Sequence, residues 1–213
     1  MRGERGAGGY KSECRETRVI SLDSHIEERE KDLVMSVPTF VDLQGFLVGM
    51  KFVVKEVAVL RKGRILTHHI FTCPMPWNLL TKSDKSCATW LIANHHGLRW
   101  EDGNVPYSTV KRLITSAVLG IEEEEKQEEN DDDDEMPTLV YVKGCQKRDW
   151  LVDLLENYAR QNLIVETLDA HYDNIESLNK LDDNNTMRCG KHVKNCALQN
   201  VIKLFNWWSC ATP

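Results

Sequence analysis

No run of about 18 consecutive apolar residues occurs in the 213-residue sequence, so it offers no membrane-spanning helix. Residues Met1–Gly9 are charged and glycine-rich and lack the apolar stretch of a secretory signal. No internal repeat is visible. The seven cysteines are odd in number and their spacing forms no disulfide framework. That excludes a disulfide-stapled secreted scaffold and sets the expectation of a reducing, intracellular home, cytoplasm or nucleus. What is present suffices for one sizeable domain: 41% of residues are hydrophobic, compatible with a globular core.

The net charge of -6 is unevenly spread. Residues 122–135 hold eleven acids against one lysine, Lys126, so the rest of the chain carries about +4. Such a run reads as a solvated, disordered insertion, here 122–136. A sharper alternative is a mimic of nucleic acid competing for a basic groove. It could also recruit a basic protein partner. Residues 1–36 are rich in Arg, Glu and Gly without sustained period and are expected to be disordered.

Strand signals begin after Val37. Thr39–Val48, Lys51–Leu60 and Ile65–Phe71 read as three strands with short connections, an antiparallel meander. Ser83 is the expected N-cap of a helix to Asn94, and apolar spacing predicts another over Tyr107–Leu119. Thr138–Val142 reads as a fourth strand and Leu163–Leu168 as a fifth. Between them lies a helix over Arg148–Arg160, with Trp150, Leu151, Leu154 and Leu155 inward. A last helix spans Asn195–Trp208, with Ala197, Val201, Leu204 and Phe205 inward and 209–213 as a tail. A strand–helix–strand crossover makes the last two strands parallel. Three antiparallel strands followed by two parallel ones, flanked by helices, is the order of the ribonuclease H-like α/β fold, here over 37–208.

The segment Cys189-Gly-Lys-His192-Val-Lys-Asn-Cys196 packs two thiols and an imidazole into eight residues. That spacing lets three soft or borderline ligands converge on one ion, most naturally zinc, with a fourth ligand from elsewhere. The bland alternative puts Cys196 in a helix core and His192 on the surface.

Strand 1, Phe40-Val-Asp42-Leu-Gln44, resembles the Asp-x-Glu motif of the DEDDh exonuclease superfamily, with Gln44 at the Glu position. Val140–Leu151 resembles a second motif of that family, in which Asp149 stands as the third acid. The last motif, His-x-Ala-x-x-Asp, reads Asn195-Cys-Ala-Leu-Gln-Asn200 here. Two carboxylates remain, and the general base is an amide. Neutral amides hold Mg2+ poorly, so the site Asp42, Gln44, Asp149, Asn195, Asn200 is degenerate for two-metal catalysis.

The Maelstrom domain is a DEDDh-derived fold that carries Glu, His, His, Cys, His, Cys in that order in place of the acids. This chain resembles it through Glu56 in Val53-Val-Lys-Glu56, His69 in His69-Ile-Phe-Thr-Cys-Pro74, His96 in His95-His96-Gly-Leu, and Cys189, His192 and Cys196. The resemblance covers about residues 37–208. It implies a zinc ion held by Glu56, Cys189, His192 and Cys196 as a closed structural site. It also implies association with small-RNA silencing of transposons, and ribonuclease activity independent of the DEDD acids. His69 and His96 read either as packed or hydrogen-bonded residues or as ligand or RNA contacts.

Basic residues point to phosphate contact. Lys51, Lys55, Arg61, Lys62 and Arg64 cluster on strands 2 and 3; Lys143, Lys147 and Arg148 surround Gly144; Lys191, Lys194 and Lys203 follow. Trp150, Trp207 and Trp208 could stack bases. Solvated charge and core tryptophan are the plainer readings. The expected function is single-stranded RNA binding by a zinc-stapled domain that is weak or dead as an exonuclease. One alternative is a Mg2+-dependent 3′-5′ exonuclease using Asp42, Asp149 and a further acid such as Glu101 or Asp102. The other is a protein-interaction module.

Overall fold

Valine-rich alternation produces three antiparallel strands, β1 (Thr39–Val48), β2 (Lys51–Arg61) and β3 (Ile65–Ile70). The computed structural model describes residues 37–121, 138–155, 163–172, 175–181 and 184–211. The expectations for 1–36, for the acidic insertion and for a helix reaching Arg160 lie outside them. The β1–β2 turn is Gly49-Met50, both with positive φ, as a two-residue hairpin demands. Two further strands, β4 (Thr138–Val142) and β5 (Leu163–Thr167), extend the sheet. The strand order is β3-β2-β1-β4-β5, with β1–β4 and β4–β5 parallel. The chain is thus an α/β protein with a five-stranded mixed sheet flanked by helices. No helix among the described residues is long and apolar enough to cross a membrane.

Five helices follow in chain order: α1 (Lys82–Asn94), α2 (Val110–Leu119), α3 (Cys145–Leu154), the single turn α4 (Leu168–His171) and α5 (Ala197–Ala211). Their bounds correct several expectations. Thr81, not Ser83, caps α1: its Oγ1 accepts from Asp84 N at 3.1 Å and donates to Asp84 Oδ2 at 2.6 Å, a reciprocal cap. Helix α3 starts at Cys145, three residues early, because Gly144 (φ 92) turns the chain and Asp169 accepts its N–H at 2.8 Å. Phe71 leaves β3 and bridges Val105 instead. Leu168 opens α4 rather than ending β5, and α5 runs to Ala211, so 209–211 is helix and not tail.

Alternation in the strands divides the core. Val41, Leu43, Val57, Val59, Val140, Val142 and Val165 bury one face beneath α2 and α3. Phe40, Ala58, Leu60 and Tyr141 bury the other against α5, through Ala197, Val201 and Leu204. Phe46 continues that face toward Ala88 of α1 and Trp100.

A bulge interrupts this alternation. Gln44 pairs with Glu56, but Gly45 pairs with Val54, leaving Lys55 as the extra residue of β2. The inserted residue resets the phase. Val54 joins Val57 and Val59 on the α2–α3 face, and Glu56 joins Ala58 and Leu60 beneath α5. Gly45 is required opposite the bulge, because a Cβ there would lie 2.2 Å from Val53 O.

Candidate metal centre and the Asp42 site

The bulge delivers Glu56, which has no solvent exposure, to the N-terminus of α5. Its Oε2 accepts from Ala197 N at 3.0 Å, and anions are favoured at that end of a helix. There it meets Cys189, His192 and Cys196. The four ligand atoms all lie within 4.8 Å of one another. His192 Nε2 is 3.1 Å from Glu56 Oε2, and Cys196 Sγ is 3.6 Å from Oε1. Backbone N–H groups point at both sulfurs, Cys189 N at Cys196 Sγ (3.3 Å) and Lys191 N at Cys189 Sγ (3.4 Å). Such bonds favour the thiolate.

The orientation of His192 is fixed from outside the cluster. Its Nδ1 faces two carbonyl oxygens, His96 O at 2.5 Å and Lys194 O at 2.8 Å, so Nδ1 carries the hydrogen and donates. Nε2 is therefore the nitrogen turned toward Glu56 and the sulfurs. It is buried without a hydrogen bond, close to Glu56 but out of line for one. A buried ring nitrogen without a partner, beside a carboxylate and two thiols, fits a metal ion. Among the described residues this is the one group of three or more metal-ligating side chains so closely set.

The charges agree. Burial would raise the Glu56 carboxyl, but the close approach of His192 and the bond to His68 outweigh it and hold the pKa well below the usual range. Burial would lower His192, yet the close approach of Cys196 and Glu56 pushes it up to about 11. The anionic neighbours thus demand positive charge at Nε2, which a proton or a divalent ion supplies. Burial raises Cys189; Cys196 is lowered by the nearby His192 in spite of burial.

In β3 the adjacent histidines His68 and His69 face opposite sides of the sheet, whereas His95 and His96 lie outside any strand. His68, not His69, reaches the cluster: its Nε2 lies 2.8 Å from Glu56 Oε1. His69 is half-buried beside Phe71, and burial lowers its pKa. His96 is fully buried and neutral, pushed down to about 4 by burial. Its Nδ1 accepts from Leu98 N at 3.1 Å, leaving Nε2–H to donate to Gly45 O at 3.2 Å. It serves the cluster through its carbonyl. His68 was discoverable from its place directly before His69 in β3, since either could face Glu56.

Asp42 lies on the same sheet face, without solvent exposure. Its Oδ2 accepts from Gln44 Nε2 at 2.9 Å and Asn200 Nδ2 at 2.8 Å, while Lys147 Nζ donates to Oδ1. Three of the degenerate motif positions therefore do meet. The other two do not join them. Asp149 is exposed on α3 and pairs with Arg148 at 3.4 Å. Asn195 Nδ2 donates to His95 O at 2.9 Å. Asp102 accepts from Arg99 N at 2.6 Å, and Glu101 is exposed, so neither completes an acidic metal site with Asp42.

Several basic residues are engaged inside the protein. Lys143 pairs with Asp169 at 2.5 Å and Lys147 with Asp42. Lys55 is fully buried and donates to the carbonyls of Trp100 (2.8 Å) and Asp102. These correct the expectation that all three contact phosphate. Lys191 and Lys194 remain exposed, while Arg148 is half-buried, its Nε donating to Val165 O at 3.0 Å and its Nη1 pairing with Asp149. The tryptophans differ similarly. Trp150 stacks on Phe52 with centroids 3.7 Å apart, Trp207 packs edge-on against Tyr172, and Trp208 lies against Phe40. Trp90 of α1, which no sequence period singles out, is 59% exposed. No protein-family model, curated protein or solved structure matches this chain.

Proposed function

We propose that this chain is a ribonuclease H-like, Maelstrom-like domain that has replaced two-metal catalysis with a zinc staple and binds single-stranded RNA. The observation that carries this reading is the convergence of Glu56, Cys189, His192 and Cys196 on one point. The order β3-β2-β1-β4-β5, with its parallel β1–β4 and β4–β5 pairs, is that of the ribonuclease H-like fold and supports it.

Zinc is the best match to the donor set. Two thiolates, one imidazole and one carboxylate favour a borderline-soft ion over Mg2+ or Ca2+. A tetrahedral zinc with bonds of about 2.0–2.3 Å spaces its ligands by about 3.3–3.8 Å. The 3.1 and 3.6 Å separations around Glu56 need only small adjustments. Bound there, the ion would tie the loop before α5 to β2 and would supply structure rather than a nucleophile, since four protein ligands leave no open position.

The Asp42 site supports the loss of exonuclease chemistry. An ammonium, Lys147 Nζ, sits on Asp42 where a two-metal enzyme keeps a divalent ion, and two amides take the other carboxylate oxygen. Asp149 turns to solvent. Lys191 and Lys194 supply exposed positive charge for a phosphate backbone, and Trp90 an exposed ring for stacking.

The test combines elemental analysis of the purified protein with a gel of 5′-labelled single-stranded RNA in Mg2+. One zinc per chain and shifted, intact RNA, or internal cuts that persist without Mg2+, support the proposal. Mg2+-dependent shortening from the 3′ end, abolished by Asp42→Ala, would overturn it in favour of the exonuclease.

A further inference from the structure

The outer edge of β3 carries main-chain groups that no strand pairs. Phe71 N donates toward β2, to Lys55 O at 2.8 Å, whereas Ile70 O accepts on the opposite side, from Asn104 N and Val105 N at 3.2 Å each. Main-chain groups alternate in direction along a strand, so His68, two residues before Ile70, turns its N–H and C=O to that outer edge. β3 is the last strand of the sheet, and among the described residues neither group has a partner there. A cavity of about 490 Å3 opens against this edge, within the size range of small-ligand sites. His69, Asn104 and Lys191 line it with His68, and none of those three side chains makes a hydrogen bond among the described residues. Cys189 also borders it, so the loop of the metal cluster supplies one wall.

The lining excludes several classes of ligand. Asp102 contributes a carboxylate, its Oδ2 accepting from Arg99 N at 2.6 Å, and this charge repels a bare anion inside the cavity. Among the described residues no second set of metal-ligating side chains converges here, so a divalent ion has no cage. An added peptide strand finds too short an edge. Residues 103–105 cross β3 at Ile70, and Gly103 (φ 99) lets them press close, since a Cβ there would lie 2.3 Å from Phe71 O. Only Leu66 and His68 then remain outward in β3 for a partner strand. What fits is a flat ring with a donor and an acceptor side by side on its rim. An outward N–H and C=O from one residue, an imidazole and an amide are the groups that read the edges and faces of nucleobases.

We propose that this cavity takes one nucleobase with its ribose, either from a free nucleotide or from one unstacked residue of a strand. The outward N–H and C=O of His68 and the Asn104 amide bond the edge of the base, the His69 imidazole meets its face, and Lys191 meets the attached phosphate at the mouth. The strand form deepens the RNA-binding reading and rests on it; the free-nucleotide form does not.

The experiment follows backbone amides of the full-length, zinc-loaded protein by proton–nitrogen NMR in buffer without Mg2+. AMP, GMP, CMP and UMP are titrated beside ribose 5-phosphate, which lacks the base. A 12-nucleotide RNA is compared with its abasic counterpart, and a capped valine–threonine pentapeptide probes strand addition. The expected result is a saturable shift of the His68, Asn104 and Val105 amides by at least one nucleotide or by the RNA, and none by the ligands without bases. Asn104→Ala and His69→Ala should each weaken it roughly tenfold, the scale of one hydrogen bond, while zinc content and melting temperature hold. These shifts with RNA but not with its abasic counterpart assign one residue of a strand. Shifts with nucleotides and no RNA binding assign the free nucleotide and remove the RNA-binding reading. RNA bound with these amides unmoved would overturn this inference and leave RNA binding standing. Ribose 5-phosphate binding as well as the nucleotides would overturn it as a phosphate contact alone, and shifts of Leu66 and His68 by the peptide alone would overturn it in favour of a sixth strand.

Discussion

Lys147 at the start of α3 places its ammonium on Asp42 of β1, 105 positions earlier in the chain. The carboxylate has no solvent exposure and the lysine side chain 17%, so the pair is largely withdrawn from water. Removing the lysine leaves a buried charge that two amides cannot neutralise. Lys147→Met should destabilise the protein by about 3–5 kcal/mol. Adding Asp42→Asn should recover most of that loss, because the remaining groups are then neutral and hydrogen-bonded. A denaturant double-mutant cycle measures both; a loss in the double variant equal to the sum of the two single losses would show that the pair is not coupled.

Cys196 is the most enclosed thiol of the metal cluster. Cys196→Ala should abolish stoichiometric metal and lower the melting temperature by about 10 °C, the scale of about 3 kcal/mol in a chain this long. Native mass spectrometry and a thermal scan report the two effects together. A variant that still retains one zinc would remove Cys196 from the ligand set.

His68 acts one step behind the ligands, through its 2.8 Å contact with Glu56. His68→Ala should weaken metal binding roughly ten- to a hundredfold while leaving one site per chain. Competition with a chelating dye measures it. His69→Ala, a half-buried neighbour without that contact, is the control and should leave affinity unchanged.

Metal binding should depend on pH in a defined direction. His192 is pushed up to about 11 by the nearness of Cys196 and Glu56, against the effect of burial. Burial also raises Cys189. At neutral pH the ion must displace these protons. Affinity therefore rises with pH, about tenfold per unit for each proton released, and falls on acidification. Dissociation constants at pH 6.5, 7.5 and 8.5 give the slope, and a flat profile would contradict it.

For RNA, exposed and engaged lysines should separate. Lys191→Ala and Lys194→Ala should each reduce the salt slope of binding by about one. Lys143→Ala should instead change stability, because its charge faces Asp169. Trp90→Ala should weaken binding, whereas Trp207→Ala, packed on Tyr172, should act through folding. Fluorescence anisotropy across a salt series distinguishes these classes.

The strands were legible because β-branched alternation is a local signal, and all five begin where the sequence places them. The cysteine–histidine spacing was legible for the same reason. What escaped depends on contacts across the sheet. Nothing local announces that Lys55 is a bulge, so its charge reads as surface although it lies inside. The start of α3 depends on Asp169, whose approach to Gly144 spans 25 residues. The choice between His68 and His69 is a matter of register with β2, and the tryptophans' partners lie on other elements.

The extra residue in β2 also limits how this protein can vary. Removing one residue from the Lys51–Lys55 stretch would erase the bulge and restore strict pairing with β1. Loss of Lys55 itself would leave Val54 and Glu56 on their present faces, but loss of a residue before it would turn over the hairpin end of β2, setting Val54 beneath α5, or would turn Glu56 away from it. Isoleucine-for-valine exchanges in β2 should be well tolerated, but a one-codon deletion that turns Glu56 away from α5 should cost the metal. Among distant relatives, the length of this strand segment should therefore be kept more strictly than its composition.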